Sequence, residues 1–473
     1  MVTDPDRPRY HFVPPGGTLH DPNGACYWNG RYHLFYQYWP PSQVGERPWR
    51  EAMHWGHAVS EDLVTWQDLP IALAPDPGPE LSCYSGQSLV EPDRLVLMYH
   101  GPGAGNCIAT ATDEFAIDIE KHPANPVIPM DEDAPYRVFD PCIWREDGWY
   151  YSLSGSHADG DRGEQCRDTA YLFRSTNLED WEYLHPLFEG GFHTEPGEDA
   201  AVPNFFPVDR HHLLLFFSHT RGPQYYLGRY ERDASRFTVH AHGRMNAGPV
   251  SYGNLHAPSV LADPDGRRVA VFNIREARRD EREAPWRGWQ QVLSLPRKID
   301  VQDGAVTVEP VSELAALRRD HQRYDDVHLA NQAWVVPDPP GESVEVRASI
   351  DPGDAEEIGI SVLRSPNGDV ETTVSVWPAA HTVGIDPTRA IERADVLGRP
   401  PELLPLECSH DSMLELQIFV DRGVVEAFVN RRQALTARVY PDHDRPHHLG
   451  VYTRGGTATL RRLDIWQMDD IWA

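Results

Sequence analysis

Five strand-length apolar runs, RYHLFYQYW (31–39), RLVLMYH (94–100), GWYYSLSG (148–155), HHLLLFFSH (211–219) and RRVAVFNI (267–274), return roughly every 55–60 residues along this chain. Each follows a turn: WNG, EPD, EDG, VDR and PDG, in that order. A period of that length is one supersecondary unit, and aromatic and branched residues between Gly/Pro/Asp turns make the unit a small sheet. Such a unit buries its faces only against its neighbours. Five units therefore predict five blades of a β-propeller. A second pattern repeats inside them: HAVSEDLVTWQDLP (57–70) and FRSTNLEDWEYLHPL (173–187) share a Ser, an acidic turn and a Trp, and ATATDEFAIDIEKH (109–122) is a weaker copy.

The texture changes after QQVLSLPRKIDVQDG (290–304). VSELAALRRDHQRY (311–324) has apolar residues on one side and arginines on the other, which predicts a helical linker over 306–328. From 329 to 473 apolar and polar residues alternate again, as in SVEVRASI, EIGISVLRS and LELQIFVDRGVVEAFVN, the pattern of an antiparallel sandwich with one wet face per sheet. The expected architecture is all-β: a five-bladed propeller over 1–305 followed by a C-terminal β-sandwich.

Composition narrows the partners. A formal charge of −29 leaves no basic surface to displace the counterions of a nucleic acid or to meet an anionic membrane, so neither is expected. The first residues, MVTDPDRPRYHF, carry no basic or apolar leader pattern, and no run approaches a membrane span; a cytoplasmic protein is expected. Six cysteines without a CxxC pair predict buried thiols, not a zinc site or a disulfide framework. No metal and no cofactor are expected, since His54, His57, His211, His212 and His256 fit no ligand template. Self-association into a homo-oligomer stays open.

In a propeller the starts of the innermost strands surround a central funnel, so carboxylates far apart in sequence converge there. Asp21 in TLHDPNGACYW, Asp140 in RVFDPCIW, and Glu195, Glu198 and Asp199 in HTEPGEDAAVPNFF each sit just ahead of a blade's apolar run. Carboxylates in an aromatic funnel suit glycoside chemistry, in which one attacks the anomeric carbon and a protonated one serves the leaving oxygen. Taken singly, Asp-Pro and Asn-Gly are ordinary turn formers.

The whole chain resembles glycoside hydrolase family 32, the invertase, levanase and inulinase group. HFVPPGGTLHDPNGACYWNGRYHLFYQYWP is similar to that family's WMNDPNG…FYQ opening, HWGHAVSEDLVTW to its next block, CYSGQS to its FSGS, and IFVDRGVVEAFVN and RRLDIWQM to its sandwich. The resemblance implies a retaining hydrolase of β-fructofuranosides such as sucrose, short fructo-oligosaccharides or a difructose anhydride. It implies Asp21 as the nucleophile, Asp140 as the aspartate that binds sugar hydroxyls and stabilises the transition state, and His20, Asn23, Gln37, Trp55, Tyr84 and Ser85 as substrate-binding residues, with Asn254 and His256 as further contacts. A small saccharide is the implied partner. Asp421 and Glu426 match a pair in the family's sandwich, for which an exposed salt-bridged or turn role is expected.

Three positions depart from the family pattern. His20 stands where an Asn is usual, Phe139 replaces the arginine of RDP with Arg137 two residues earlier, and Ala201 occupies the place of the acid/base Glu of WECPDFF. Glu198 is the expected replacement acid, ahead of Glu195 and Asp199. Fructosyl transfer shares its covalent intermediate with hydrolysis, and a sugar-binding protein without turnover is the reading of another class; the motifs leave both open.

Overall fold

The computed structural model describes residues 4–41, 52–76, 78, 80–156, 167–246, 248, 253–277, 287–390, 393, 395–406 and 412–472. Trp286, Cys166 and Cys408 lie outside them. The other four cysteines are free and buried, and no described helix is long and apolar enough to cross a membrane.

Five antiparallel sheets fill the first part of the chain, in sequence order. Their innermost strands are Gly17–Trp28, Gly86–Val90, Pro141–Glu146, Ala201–Val208 and Leu255–Ala262, each paired with the apolar run that follows it. Those runs are the second strands, and every residue of Leu95–Gly101 is buried. The hairpins turn where Asn-Gly and Asp-Gly take left-handed backbone angles at both positions, as Asn29 (φ 48°) and Gly30 (81°) and Asp147 (49°) and Gly148 (85°) do. The ring closes where Trp289–Gln290 pairs in parallel with Gly17 and Thr18 of the first sheet. Trp289 is accordingly core.

The repeated Ser/acidic/Trp pieces are one local structure used twice. Asp62 Oδ1 accepts the N–H groups of Val64 and Thr65, and Asn177 Oδ1 those of Glu179 and Asp180. Between cap and strand a buried leucine, Leu63 (φ 65°) or Leu178 (φ 68°), reverses the chain. The weaker copy turns the same way on Asp113, with Ala116 at φ 50°.

The helical linker does not form. Residues 305–310 are the last propeller strand, Ser312–Leu317 make a 3-10 turn that buries Leu314 and Leu317, and Arg318–Ala330 is a strand pairing with Thr457–Met468. The row of arginines that reads as a helix face is the solvated side of an edge strand, where charge blocks further pairing. Arg318 and His321 both pack on Trp466 there, the guanidinium 4.4 Å and the imidazole 4.7 Å from its ring centroid.

Two six-stranded sheets then pack face to face around an aliphatic core that includes Val346, Ile360, Ile418 and Val451. A separate core spans the junction, joining Phe12, Leu293 and Leu314 to Phe419 and Phe428. Asp421 and Glu426 lie in this junction with no solvent exposure, which corrects the expectation of an exposed role. Asp421 accepts the N–H groups of Arg9, Tyr10 and His11 and the His11 ring, while Glu426 accepts Arg297 Nη2 at 2.8 Å and the Leu295 N–H. These buried acids bind the amino-terminal segment and the last blade to the sandwich.

Candidate active site

Three of the innermost strands break their ladder at the same place. In Gly17–Trp28, His20 and Asp21 stand opposite one residue, Gln37; in Ala201–Val208, Val202 and Pro203 stand opposite Phe216; in Leu255–Ala262, His256 and Ala257 stand opposite Asn273. Each is a two-against-one bulge that ends at or just before a proline, Pro22, Pro203 or Pro258, a residue with no N–H to offer a regular ladder. A bulge re-aims the side chains at its apex, and these three face one another across the funnel. Val202 adopts φ 46°, a costly value for a β-branched residue. Its N–H is thereby turned onto Asp140.

Asp21 is the hub. His20 Nδ1 and His256 Nδ1 donate to its Oδ1 at 2.8 and 3.0 Å, and Ser85 Oγ donates to its Oδ2 at 2.7 Å. Gln37 Nε2 in turn donates to Ser85 Oγ at 2.7 Å. Burial favours the protonated acid, but His20 and His256 outweigh it and hold the Asp21 carboxyl well below the usual carboxylate range. Burial also pushes His256 down to about 3 in spite of Asp21, so this imidazole is neutral at pH 7 and donates through its Nδ1–H. Asp140 behaves oppositely: burial and the Asp21 charge push it well above the carboxylate range. Two carboxyls whose pKa values are displaced in opposite directions share the funnel, as expected when like charges meet in a dry site.

The other expected residues separate into those at the funnel and those beneath it. Side chains of His20 and Asp21 are 17% and 8% accessible, and Tyr84 is half-buried beside the His100 ring. Trp55 has no exposure and donates from Nε1 to the Tyr84 carbonyl at 2.8 Å, so it props the Tyr84–Ser85 segment from below and is no pocket wall. Asn23 is equally buried and is scaffold, as is Asn254, which bonds Arg399. Arg137 does not replace the missing guanidinium. Its segment is irregular, so the alternation of a strand does not carry it to the Asp140 face, and it is exposed, donating to the Tyr136 carbonyl. Phe139 packs its ring on His100 instead.

Glu195 is exposed and paired with Arg221. Glu198 is buried, with Arg244 Nη2 at 2.6 Å, Gln224 Nε2 at 2.6 Å and the Glu195 N–H at 2.9 Å on its oxygens. Burial raises its pKa, yet Arg244 and the other donors bring it below the ordinary value, which ill suits a proton donor. The carboxylate that couples to Asp140 from this loop is Asp199, and with it His219, a residue that no motif marks and that closes the run HHLLLFFSH. A lone histidine at a strand end carries no sequence signal.

Among the described residues His20, Asp21 and His256 also form a group whose metal-type donor atoms lie within 4.8 Å of one another. Their contacts have hydrogen-bond lengths, and both Asp21 oxygens are already satisfied by donors. A cavity of about 770 Å³ between the two domains is lined by Arg318, Arg347, Arg462, Asp464 and Trp466, among others, and shares no residue with the Asp21 group.

Comparison with known proteins places this arrangement. Residues 11–310 match the glycosyl hydrolases family 32 N-terminal domain and residues 313–467 the family 32 C-terminal domain. A raffinose invertase of Escherichia coli is 31% identical over 98% of this chain and 95% of its own length, and a sucrose-6-phosphate hydrolase of the same species is 28% identical over 98% and 94%. The crystal structure of fructan 1-exohydrolase IIa from Cichorium intybus superposes with a TM-score of 0.86 at 21% identity, covering 99% of this chain and 98% of that one.

Proposed function

The chain belongs to glycosyl hydrolase family 32, and from that premise we propose that it hydrolyses β-fructofuranosides of small saccharides such as sucrose, with Asp21 as the nucleophile of a retaining mechanism. The observation that carries this reading is the state of Asp21, an ionised carboxylate at the funnel with three side-chain donors fixing its orientation. A buried carboxylate with a depressed pKa beside one with a raised pKa shows the divergence that glycosidic cleavage draws on.

In the first step an Asp21 oxygen attacks the anomeric carbon of the fructosyl unit, the bond to the glycosidic oxygen breaks, and that oxygen takes up a proton as it leaves. In the second step water attacks the same carbon and returns the carboxylate. Asp140, held by the Val202 N–H, hydrogen-bonds a sugar hydroxyl. The names of the relatives, sucrose-6-phosphate hydrolase and raffinose invertase, support a sucrose-type glycoside as the first substrate to test.

Asp21→Asn keeps the shape and removes the nucleophile. It is expected to cut fructose release from sucrose by at least about 10³-fold with the fold retained in circular dichroism. A folded Asp21→Asn protein that releases fructose at the wild-type rate would overturn the mechanism.

A further inference from the structure

The proposal above leaves the leaving-group proton without a donor, because Ala201 stands at the family's acid/base position and Glu198 is neutralised by Arg244. Resting on that reading of the reaction, we propose that His219, clamped by Asp199, is the acid/base residue of this enzyme.

The clamp is bidentate. Asp199 Oδ2 accepts from His219 Nδ1 at 2.6 Å and Asp199 Oδ1 accepts the His219 backbone N–H at 2.8 Å. Asp199 itself is buried, whereas the His219 side chain is 36% accessible, so the pair presents an imidazole to solvent from a sunken carboxylate. The location is at the nucleophile: the His219 ring centroid lies 6.4 Å from that of His256, whose Nδ1 is on Asp21, and both rings pack on Phe217. Asp199 precedes Ala201 by two residues, so the pair enters the funnel from the same blade edge as the absent glutamate.

Among the described residues, the groups facing His219 include Asp199 from its own blade, Asp140 from the preceding blade, and Asp21 and His256 across the funnel. Burial works to lower the His219 pKa, but the Asp199 bond and the charges of Asp199, Asp140 and Asp21 together raise it above the ordinary imidazole value. The Asp199 clamp thus favours the imidazolium, the form that can give up a proton. With Nδ1 committed to Asp199, the proton on Nε2 passes to the glycosidic oxygen as the bond to the anomeric carbon breaks. The neutral imidazole then takes a proton from the water whose oxygen displaces Asp21. Asp199 touches no reacting atom and is a positioning residue.

The test compares wild type with His219→Gln, Asp199→Asn, Glu198→Gln and Asp140→Asn on sucrose and on an aryl β-fructofuranoside with a nitrophenolate leaving group, with folding checked by circular dichroism. His219→Gln is expected to lower kcat/KM on sucrose about 10²- to 10³-fold and on the aryl substrate less than about tenfold. Added azide is expected to accelerate turnover of the aryl substrate by His219→Gln, yielding fructosyl azide, a rescue that a merely structural histidine would not show. Asp199→Asn is expected to move the alkaline limb of kcat/KM to lower pH with KM little changed. Equal losses on both substrates without azide rescue, or the leaving-group pattern in Glu198→Gln or Asp140→Asn in place of His219→Gln, would overturn the assignment. If His219→Gln does not fold, the Asp199→Asn pH profile decides: an unmoved alkaline limb rejects the pair. Absence of fructose release by wild type would instead reject the substrate reading on which the assignment rests.

Discussion

The imidazole of His20 occupies a position where the family resemblance implies an amide, and an N–H donor is what the two side chains share. What Asp21 requires there is one N–H donor to Oδ1, which His20 Nδ1 supplies at 2.8 Å. His20→Asn is therefore expected to retain activity within about tenfold, and His20→Ala to lose roughly 10- to 100-fold in kcat/KM, the worth of one hydrogen bond to a charged group. The same carboxylate sets the acid side of the pH profile. Its pKa is depressed, so the ionised form persists well below the ordinary carboxylate range, while the raised pKa of His219 keeps the acid protonated past about 6.5. A kcat/KM profile on sucrose is expected to hold a plateau through weakly acidic pH and to fall as pH rises through the elevated imidazole value. Because donors already fill both Asp21 oxygens, overnight dialysis against EDTA is expected to leave kcat unchanged within about twofold.

At the scale of single elements the site depends on inner strands that approach their neighbours without room to spare. A Cβ at Gly86 would lie 2.0 Å from the Met98 carbonyl oxygen and 2.6 Å from the Tyr99 Cα, backbone atoms that cannot step aside. Gly86→Ala is expected to cost about 2–3 kcal/mol in urea unfolding and to displace the adjoining Ser85 from Asp21, so that activity falls more than stability alone explains. Much of this layer is legible in sequence. The five apolar runs and the turns before them announce five sheets, and the His-Asp-Pro, Phe-Asp-Pro, Ala-Val-Pro and His-Ala-Pro tripeptides mark inner-strand starts in four of them. The funnel pairing of Asp21 with Asp140 followed from that. What stayed hidden depends on which way a side chain turns: Trp55 and Asn23 stand in pocket motifs yet point into the core, and Glu198 meets an arginine 46 residues on. The strand at Arg318–Ala330 reads as a helix in sequence because a charged edge strand and the polar face of a helix share a composition, and pairing with Thr457–Met468 decides between them.

For the whole molecule, the buried acids at the junction make the propeller and the sandwich one cooperative body. Asp421→Asn would leave His11 and three backbone N–H groups facing an amide that cannot balance them, and a loss of about 3–5 kcal/mol is expected from chemical denaturation. A second junction titrates in an accessible range. His443 lies between Asp6 and Glu342, and although burial would lower its pKa, these two carboxylates push it up to about 9. A raised pKa contributes stability that is full below the unfolded value near 6.5 and is lost as pH climbs through 9. The melting temperature is therefore expected to drop between pH 7 and pH 10 in wild type and to drop less in His443→Gln. The reaction itself is tested most directly by trapping the fructosyl intermediate with methanol during sucrose turnover and reading the anomeric configuration of the methyl fructoside by NMR. Methyl β-D-fructofuranoside from wild type and none from Asp21→Asn is the expected result. The α-anomer, or β-product from Asp21→Asn, would contradict a covalent intermediate on Asp21.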